Sequence, residues 1–155
     1  MNTTKLAICT LVGLVFCFLL DYLFYGVLMG GAGDAMPNFL WMVIGYLIFA
    51  LMFCLIYSKG VESGVSASQQ GLRYGIMVGF LTAVAMGFIM HGIASGTGTM
   101  QEWADLGTVL RDSAYEVVKM GILGVIIANL SGLPAAAMAD RGKTDPPPTP
   151  PGGGN

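Results

Sequence analysis

The sequence predicts an all-α protein: a four-transmembrane-helix bundle with a short outer interfacial helix and a disordered C-terminal tail. Of the 155 residues, 55% are hydrophobic and only 10% are charged, whereas charged residues make up about 25% of a typical soluble domain. The apolar residues collect in four runs, each close to the roughly 20 residues that a helix needs to cross a bilayer. This excess of apolar surface predicts the lipid bilayer as the main partner of the chain.

The predicted helices cover about 6–29, 39–57, 72–93 and 114–133, within a membrane domain of residues 1–133. Lys5 precedes the first apolar run, and a secretory signal also has a basic residue before its apolar core. The run is longer than the roughly 7 to 15 apolar residues of a signal. It also lacks a convincing small-residue cleavage site, so we expect an uncleaved first helix.

The basic residues predict the orientation of the helices. Lys and Arg in short loops accumulate on the cytoplasmic side of a membrane. Most of those in this chain fall at the N-terminus, in the second connection and in the tail: Lys5, Lys59, Arg73, Arg141 and Lys143. We therefore expect both termini in the cytoplasm. Basic residues do not cluster as phosphate binding requires, and the net charge is −2, so nucleic acid is not an expected partner.

The third connection differs from the first two. The first is short and rich in Gly, and the second consists of small and polar residues. Thr99 and Glu102 have the spacing of a capping box, in which side chains satisfy free amides at a helix start. Trp103, Leu106 and Leu110 follow at helical spacing. We interpret this segment as a short amphipathic helix at the outer interface, anchored by Trp103, or as an outward extension of the fourth helix.

The tail, residues 134–155, is rich in Pro and Gly and has almost nothing to bury. Its prolines favour an extended conformation, so we expect it to be disordered in the cytoplasm.

Two rows of small residues predict a close helix contact, because helices in lipid associate where small side chains let backbones approach. The third helix has small residues four apart, ending at His91: Gly71, Gly75, Gly79, Ala83 and Gly87. The fourth helix has a second row within one narrow arc: Gly121, Gly124, Ala128 and Gly132. We expect these two faces to meet, either within the bundle or between subunits.

Asp21 is the one carboxylate in the first apolar run. At 3.6 residues per turn it shares an arc with small and polar residues, Thr10, Gly13, Cys17 and Tyr25. The carboxylate therefore points into the bundle, where a charge is expensive and needs a partner, bound water or a proton.

The candidate intramembrane polar site comprises Asp21, Tyr25, Tyr46, His91 and Lys119. Lys119 has the depth and charge for an ion pair with Asp21, or it could snorkel to the outer interface and pair with Glu116. His91 could join a polar network with Asp21 or stay at the interface, bonded to water.

Four stretches, "LLDYLFYGVLM", "GYLIFALMFCLIYSKG", "GLRYGIMVGFLTAVAMG" and "GILGVIIANLSG", resemble small four-helix integral membrane proteins of bacteria. The resemblance covers the membrane region, implies an inner-membrane location and supplies no activity.

The sequence leaves two hypotheses for the function. The first is a small integral membrane protein that self-associates or serves as an accessory subunit of a membrane complex, and the alternative is a proton- or ion-linked small-solute transporter that acts as an oligomer. No metal-ligand spacing, Walker loop or nucleophile elbow is present in the sequence. We therefore expect no enzyme activity, no metal and no cofactor.

Overall fold

The computed structural model describes residues 2–29, 39–62, 64–98 and 101–133. These ranges fold into four long helices and one short turn of helix: α1 (Thr3–Leu28), α2 (Phe39–Lys59), α3 (Ala67–Thr97), α4 (Gln101–Ala104) and α5 (Leu106–Ser131). The four long helices are long and apolar enough to cross a membrane. The prediction of an all-α chain with four long apolar helices is therefore confirmed, while the tail and the first connection lie outside the described residues.

Three of the helices begin earlier than the sequence predicts, α1 by the least, at Thr3 rather than at 6. Helix α3 starts at Ala67 rather than at 72, because the Ser66 side chain accepts a hydrogen bond from the Gln69 N–H and caps the helix. Helix α5 starts at Leu106 rather than at 114. The first turn of α3 is polar, and the start of α5 contains Gly107, Thr108, Arg111 and Asp112, so hydropathy alone missed both starts.

Asp105 caps the start of α5 and so determines the form of the third connection. Its carboxylate accepts bonds from the Thr108 hydroxyl at 2.7 Å, the Thr108 N–H at 2.8 Å and the Gly107 N–H at 3.3 Å. These bonds, those of Thr108 foremost, hold the pKa of the Asp105 carboxyl below its ordinary value.

Leu106 and Leu110 consequently belong to α5, as the predicted outward extension of the fourth helix requires. The separate outer helix is reduced to the single turn of α4. Thr99, half of the predicted capping box, lies outside the described residues.

The helices pack in the spatial order α2, α1, α5, α3. Helix α5 is the most enclosed of the four long helices, since 44% of its 18-residue apolar stretch is buried, against 11% of the corresponding stretch of α3. At one end of the bundle, Lys5 donates a 3.0 Å bond to the carbonyl of Ser131, the last residue of α5. At the same end, Tyr74 of α3 donates to the carbonyl of Phe53 of α2 at 3.1 Å, which joins the two outermost helices.

The predicted contact between the glycine rows is present, and it joins α3 to α5. A Cβ atom at Gly71 would overlap the carbonyl oxygen of Gly124, and a Cβ at Gly75 would overlap the carbonyl oxygen of Met120. A Cβ at Gly79 would lie 2.8 Å from the Cα of Val117. Backbone therefore meets backbone along this contact, as close packing in lipid requires.

Three glycines of the predicted rows contribute differently. A Cβ at Gly87 would lie 3.1 Å from the Ser113 hydroxyl oxygen, and one at Gly121 would lie 3.3 Å from a Leu72 methyl carbon, so both face side chains. Gly132 lies beyond the contact and ends α5 with a φ of 62°, a left-handed conformation that glycine adopts without strain.

Two stretches of π-helix lie inside the long helices, Tyr22–Leu28 in α1 and Phe80–Ala85 in α3. In α1 the π-helix starts directly after Asp21. In α3 it contains Ala83, whose carbonyl accepts a 3.4 Å bond from the Ser113 hydroxyl of α5. Such wider turns often occur at functional sites, and both border the same cavity.

Candidate functional site

Asp21 lies on the buried face of α1, with 8% of its surface exposed. Most of the face predicted from helical periodicity is buried, because Thr10, Gly13 and Cys17 are buried with it, whereas Tyr25, the last residue of that arc, is exposed. The Asp21 carboxylate accepts three hydrogen bonds from two other helices. Tyr46 of α2 donates to Oδ2 at 2.6 Å, and Tyr115 and Lys119 of α5 donate to Oδ1 at 2.9 and 2.7 Å.

Lys119 forms both of the ion pairs that the sequence offered as alternatives. Its ammonium group lies 2.7 Å from Asp21 Oδ1 and 2.5 Å from Glu116 Oε1. Only 3% of its side chain is exposed, so the alternative in which it snorkels to the outer interface is wrong. Lys119 faces away from the glycine row of α5, on the side of α5 that packs on α1.

Aromatic rings pack against one side of this charged cluster, which we define as Asp21, Glu116 and Lys119. Tyr115 stacks on Phe24 with 3.8 Å between ring centroids and meets Tyr25 edge-on at 5.8 Å. The Lys119 nitrogen lies 5.2 Å from the centroid of the Tyr115 ring, within the range of a cation–π interaction. Tyr25 is thus next to the cluster, as predicted, but through ring packing rather than a bond to Asp21.

A cavity of about 610 Å³ opens beside the charged cluster, between α2 and α3 and against α1 and α5. Its wall is mostly apolar and includes Cys17, Met42, Gly45, Phe49, Thr82, Ala83, Met86, Gly87, Trp103, Ser113 and Met120. The charged residues and tyrosines of the wall are Asp21, Tyr25, Tyr46, Asp112, Glu116 and Lys119.

The charges on the cavity wall do not balance. Three carboxylates, Asp21, Asp112 and Glu116, face one ammonium group, that of Lys119. Arg111 neutralises Asp112 through a 2.9 Å contact from its Nε. When all three carboxylates are ionised, one negative charge is left without a cation from the part of the chain that the structure describes.

His91 is not brought to the charged cluster. Its Nδ1 lies 2.8 Å from the carbonyl oxygen of Trp103. A carbonyl oxygen can only accept a hydrogen bond, so Nδ1 carries a proton there and ties the end of α3 to α4. Of the five predicted site residues, Asp21, Tyr46 and Lys119 are bonded directly, Tyr25 is adjacent and His91 lies apart.

Sequence reasoning missed two members of the site. Tyr115 was not considered as a donor to Asp21, although it lies one turn before Lys119 on the same face of α5. Asp112 lies a further turn before Glu116 and shares the cavity wall. The i, i+3 and i, i+4 spacing of polar residues in this part of α5 is the signal that could have identified both.

The three cysteines, Cys9, Cys17 and Cys54, are buried and unpaired. Within the described ranges, no group of three or more His, Cys, Asp or Glu side chains could hold a metal ion.

Comparisons of the chain with protein-family models, with curated proteins and with solved structures give no match. The fold and the site together define an all-α protein with four candidate membrane-spanning helices and a charged cavity among them. Its function must be argued from these residues.

Proposed function

We propose that this chain is a non-enzymatic, multi-pass membrane protein that binds a small cation in its cavity and passes it between the two sides of the membrane. One observation supports this most: the Lys119 ammonium is held between Asp21 and Glu116 on the wall of a cavity with excess negative charge. Such a wall concentrates cations and repels anions.

The cost of the charges is the reason for assigning them a function. Placing one ionised side chain at the centre of a membrane helix costs about 2.5–3.5 kcal/mol on insertion scales. An ion pair recovers part of this cost, but well-packed apolar residues often stabilise a protein as well or better. A purely structural link between α1 and α5 therefore has a cheaper solution, whereas a cation site needs the carboxylates.

The distribution of basic residues supports an orientation with both termini in the cytoplasm. In that orientation the cavity opens in the outer half of the bundle, since Asp21 lies near the end of α1, and Met42 and Gly45 lie near the start of α2. The sequence resemblance supports a bacterial inner membrane.

Assembly is the second candidate function, and a second hollow favours it. This hollow, of about 760 Å³, lies between α2 and α3 and has an almost wholly apolar wall, which includes Phe53, Ile56, Met77 and Leu81. A second copy or another membrane protein packed there would cover the bundle between α2 and α3, next to the cavity, with which this hollow shares Phe49 and Thr82. The mass of the protein in mild detergent tests this: a uniform oligomer or a stoichiometric partner supports it, and a monomer without a partner contradicts it.

Charge movement in proteoliposomes tests the cation proposal. Purified protein is reconstituted, adsorbed on a solid-supported membrane and exposed to jumps in proton, sodium or ammonium-type cation concentration. We expect transient currents that saturate with cation concentration and are lost in Glu116→Gln. The matched control is Glu62→Gln, an exposed carboxylate in the second connection, which should keep the wild-type current. Absence of current with every cation, or equal currents in both variants, would contradict the proposal.

A further inference from the structure

We propose that the cation is a small primary amine in its ammonium form, and that it binds to Glu116 in the place that Lys119 occupies. Lys119 stays on Asp21 during this exchange. The inference rests on the proposed function and names its ligand class and the carboxylate that takes the ligand.

The two carboxylates of the charged cluster differ in how firmly they are held. Both oxygens of Asp21 are occupied, Oδ2 by the Tyr46 hydroxyl and Oδ1 by Tyr115 and Lys119. Glu116 accepts one bond, from Lys119 to Oε1, and its Oε2 has no hydrogen-bond partner among the residues that the structure describes. The Glu116 side chain is 23% exposed, against 10% for Asp21. Glu116 is therefore the carboxylate that a ligand can reach.

The ligand class follows from the group that the site already binds. The Lys119 ammonium makes two charge-assisted hydrogen bonds and lies over the Tyr115 ring. These contacts recognise a compact cation with several N–H donors. A primary ammonium has three such donors, whereas a quaternary ammonium has none. A site for Ca²⁺ would need about six to eight oxygen ligands, more than this wall provides.

The rest of the cavity fits an apolar body attached to the ammonium. The side chains of Met42, Phe49 and Met86 line the wall beside the carboxylates, and Trp103 lines it as well. The volume of about 610 Å³ lies within the range of roughly 300–1,000 Å³ usual for small-molecule pockets. An alkylammonium or arylalkylammonium ion can thus bind Glu116 with its charge and bury its chain against these side chains.

The exchange avoids an unpaired buried charge. Removing one partner of a buried ion pair is costly because the other charge is left uncompensated. When the ligand replaces Lys119 on Glu116, the ligand neutralises Glu116 and Asp21 continues to neutralise Lys119. The excess negative charge of the wall is then cancelled, and no covalent bond forms or breaks.

Amine binding to the full chain in lipid nanodiscs tests the inference. The chain has two tryptophans, so a Trp41→Phe background leaves Trp103, on the cavity wall, as the only tryptophan, whose emission is excited selectively over that of tyrosine. Butylammonium and butyltrimethylammonium are titrated at equal ionic strength. We expect a saturable change with butylammonium and at least about tenfold weaker binding of the quaternary ion. Glu116→Gln should weaken butylammonium binding about tenfold or more, and Glu62→Gln should not.

A second measurement uses Lys119→Ala, which removes the resident ammonium and leaves both carboxylates. Butylammonium should raise the thermal unfolding temperature of this variant by more than that of the wild type, because it fills the vacated place. If the variant does not fold, the titration of the wild-type cavity decides alone.

Equal binding of the primary and quaternary ions, or unchanged binding in Glu116→Gln, would overturn the inference. If amines do not bind but another cation still drives current, the ligand class is wrong and the proposed function stands. If amines bind as described but no cation moves across the membrane, the site stands and the transport proposal is wrong.

Discussion

Replacing Gly75 by Ala adds one methyl group and should push α3 away from α5. The new Cβ would overlap the carbonyl oxygen of Met120 and would lie 2.7 Å from its carbonyl carbon and 2.9 Å from the Cα of Gly121. These are backbone atoms, which cannot rotate aside as a side chain can. Ordinary contact begins at 3.4 Å, so the two helices must separate locally by about 1 Å.

The size of the effect follows from two contributions that destabilise the variant and one that stabilises it. A gap of about 0.5–1 Å loses a quarter to a half of the dispersion attraction of each affected contact. Overpacking of this kind costs about 1–3 kcal/mol, and a backbone clash belongs at the upper end. Alanine regains about 1 kcal/mol because it favours helix more than glycine does. We therefore expect Gly75→Ala to lower the free energy of unfolding by about 2 kcal/mol.

Thermal unfolding of the purified protein in one detergent measures this difference. Gly92→Ala is the matched control, because it makes the same substitution in the same helix where a Cβ would meet nothing within 4 Å. It should leave the unfolding temperature unchanged or raise it. Gly87→Ala should fall between the two, since the nearest atom, at 3.1 Å, belongs to the Ser113 side chain. If Gly75→Ala unfolds at the same temperature as Gly92→Ala, the close contact between α3 and α5 is refuted.

Three further predictions concern the ion pairs, the helix start and the topology. Lys119→Leu removes the shared partner of two carboxylates and should cost about 3–5 kcal/mol in the free energy of unfolding; an unchanged unfolding temperature would mean that water already compensates them. Asp105→Ala should fray the start of α5, as read by amide hydrogen exchange at Thr108. Because the folded-state pKa of Asp105 is lowered, its stabilisation is present above the unfolded-state pKa and should be lost as the pH falls below about 4. Asp105→Asn keeps the cap and should remove that pH dependence, and identical pH profiles for wild type and Asn variant would contradict the assignment. Finally, topology reporters should read as external after Gly33 and Thr99 and as cytoplasmic after Gly64 and Asp145, and an external reading at 64 would reverse the orientation.

The contact between the glycine rows could be predicted from the sequence because the small residues that form it recur at a regular spacing. Small residues four apart leave little doubt about which faces of α3 and α5 allow close approach, and Gly71, Gly75 and Gly124 meet backbone there. The same periodicity placed Asp21 on the buried face of α1. Which residues share one face of a helix depends only on their spacing along the chain, so the sequence alone determines it.

The pairing of Asp21 with Lys119 was only partly predictable. Depth along the helices made Lys119 a candidate, but the face of α5 that meets α1 depends on the spatial order of the helices, which the sequence pattern does not contain. The π-helical stretch after Asp21 was also missed, because it depends on packing between helices rather than on local preference. The early starts of α3 and α5 were missed because capping residues outside the apolar runs, Ser66 and Asp105, determine them.

Charge-selective labelling of the cavity tests the central claim, that its wall is open to water and selects cations. Gly45 lines the cavity, and a Cβ there would meet nothing within 4 Å, so Gly45→Cys introduces a thiol without strain. Gly96→Cys, equally unobstructed and not among the residues that line the cavity, is the control. The native cysteines are buried, and Cys17, which lines the cavity, is replaced by Ala in both variants so that it cannot compete for the reagent. One uncompensated negative charge near the thiol should make the ratio of cationic to anionic methanethiosulfonate labelling rates about tenfold higher at 45 than at 96, equivalent to about 1.4 kcal/mol. Glu116→Gln should remove most of that difference. Equal ratios at the two positions, or a ratio at 45 that does not respond to Glu116→Gln, would contradict the cation site.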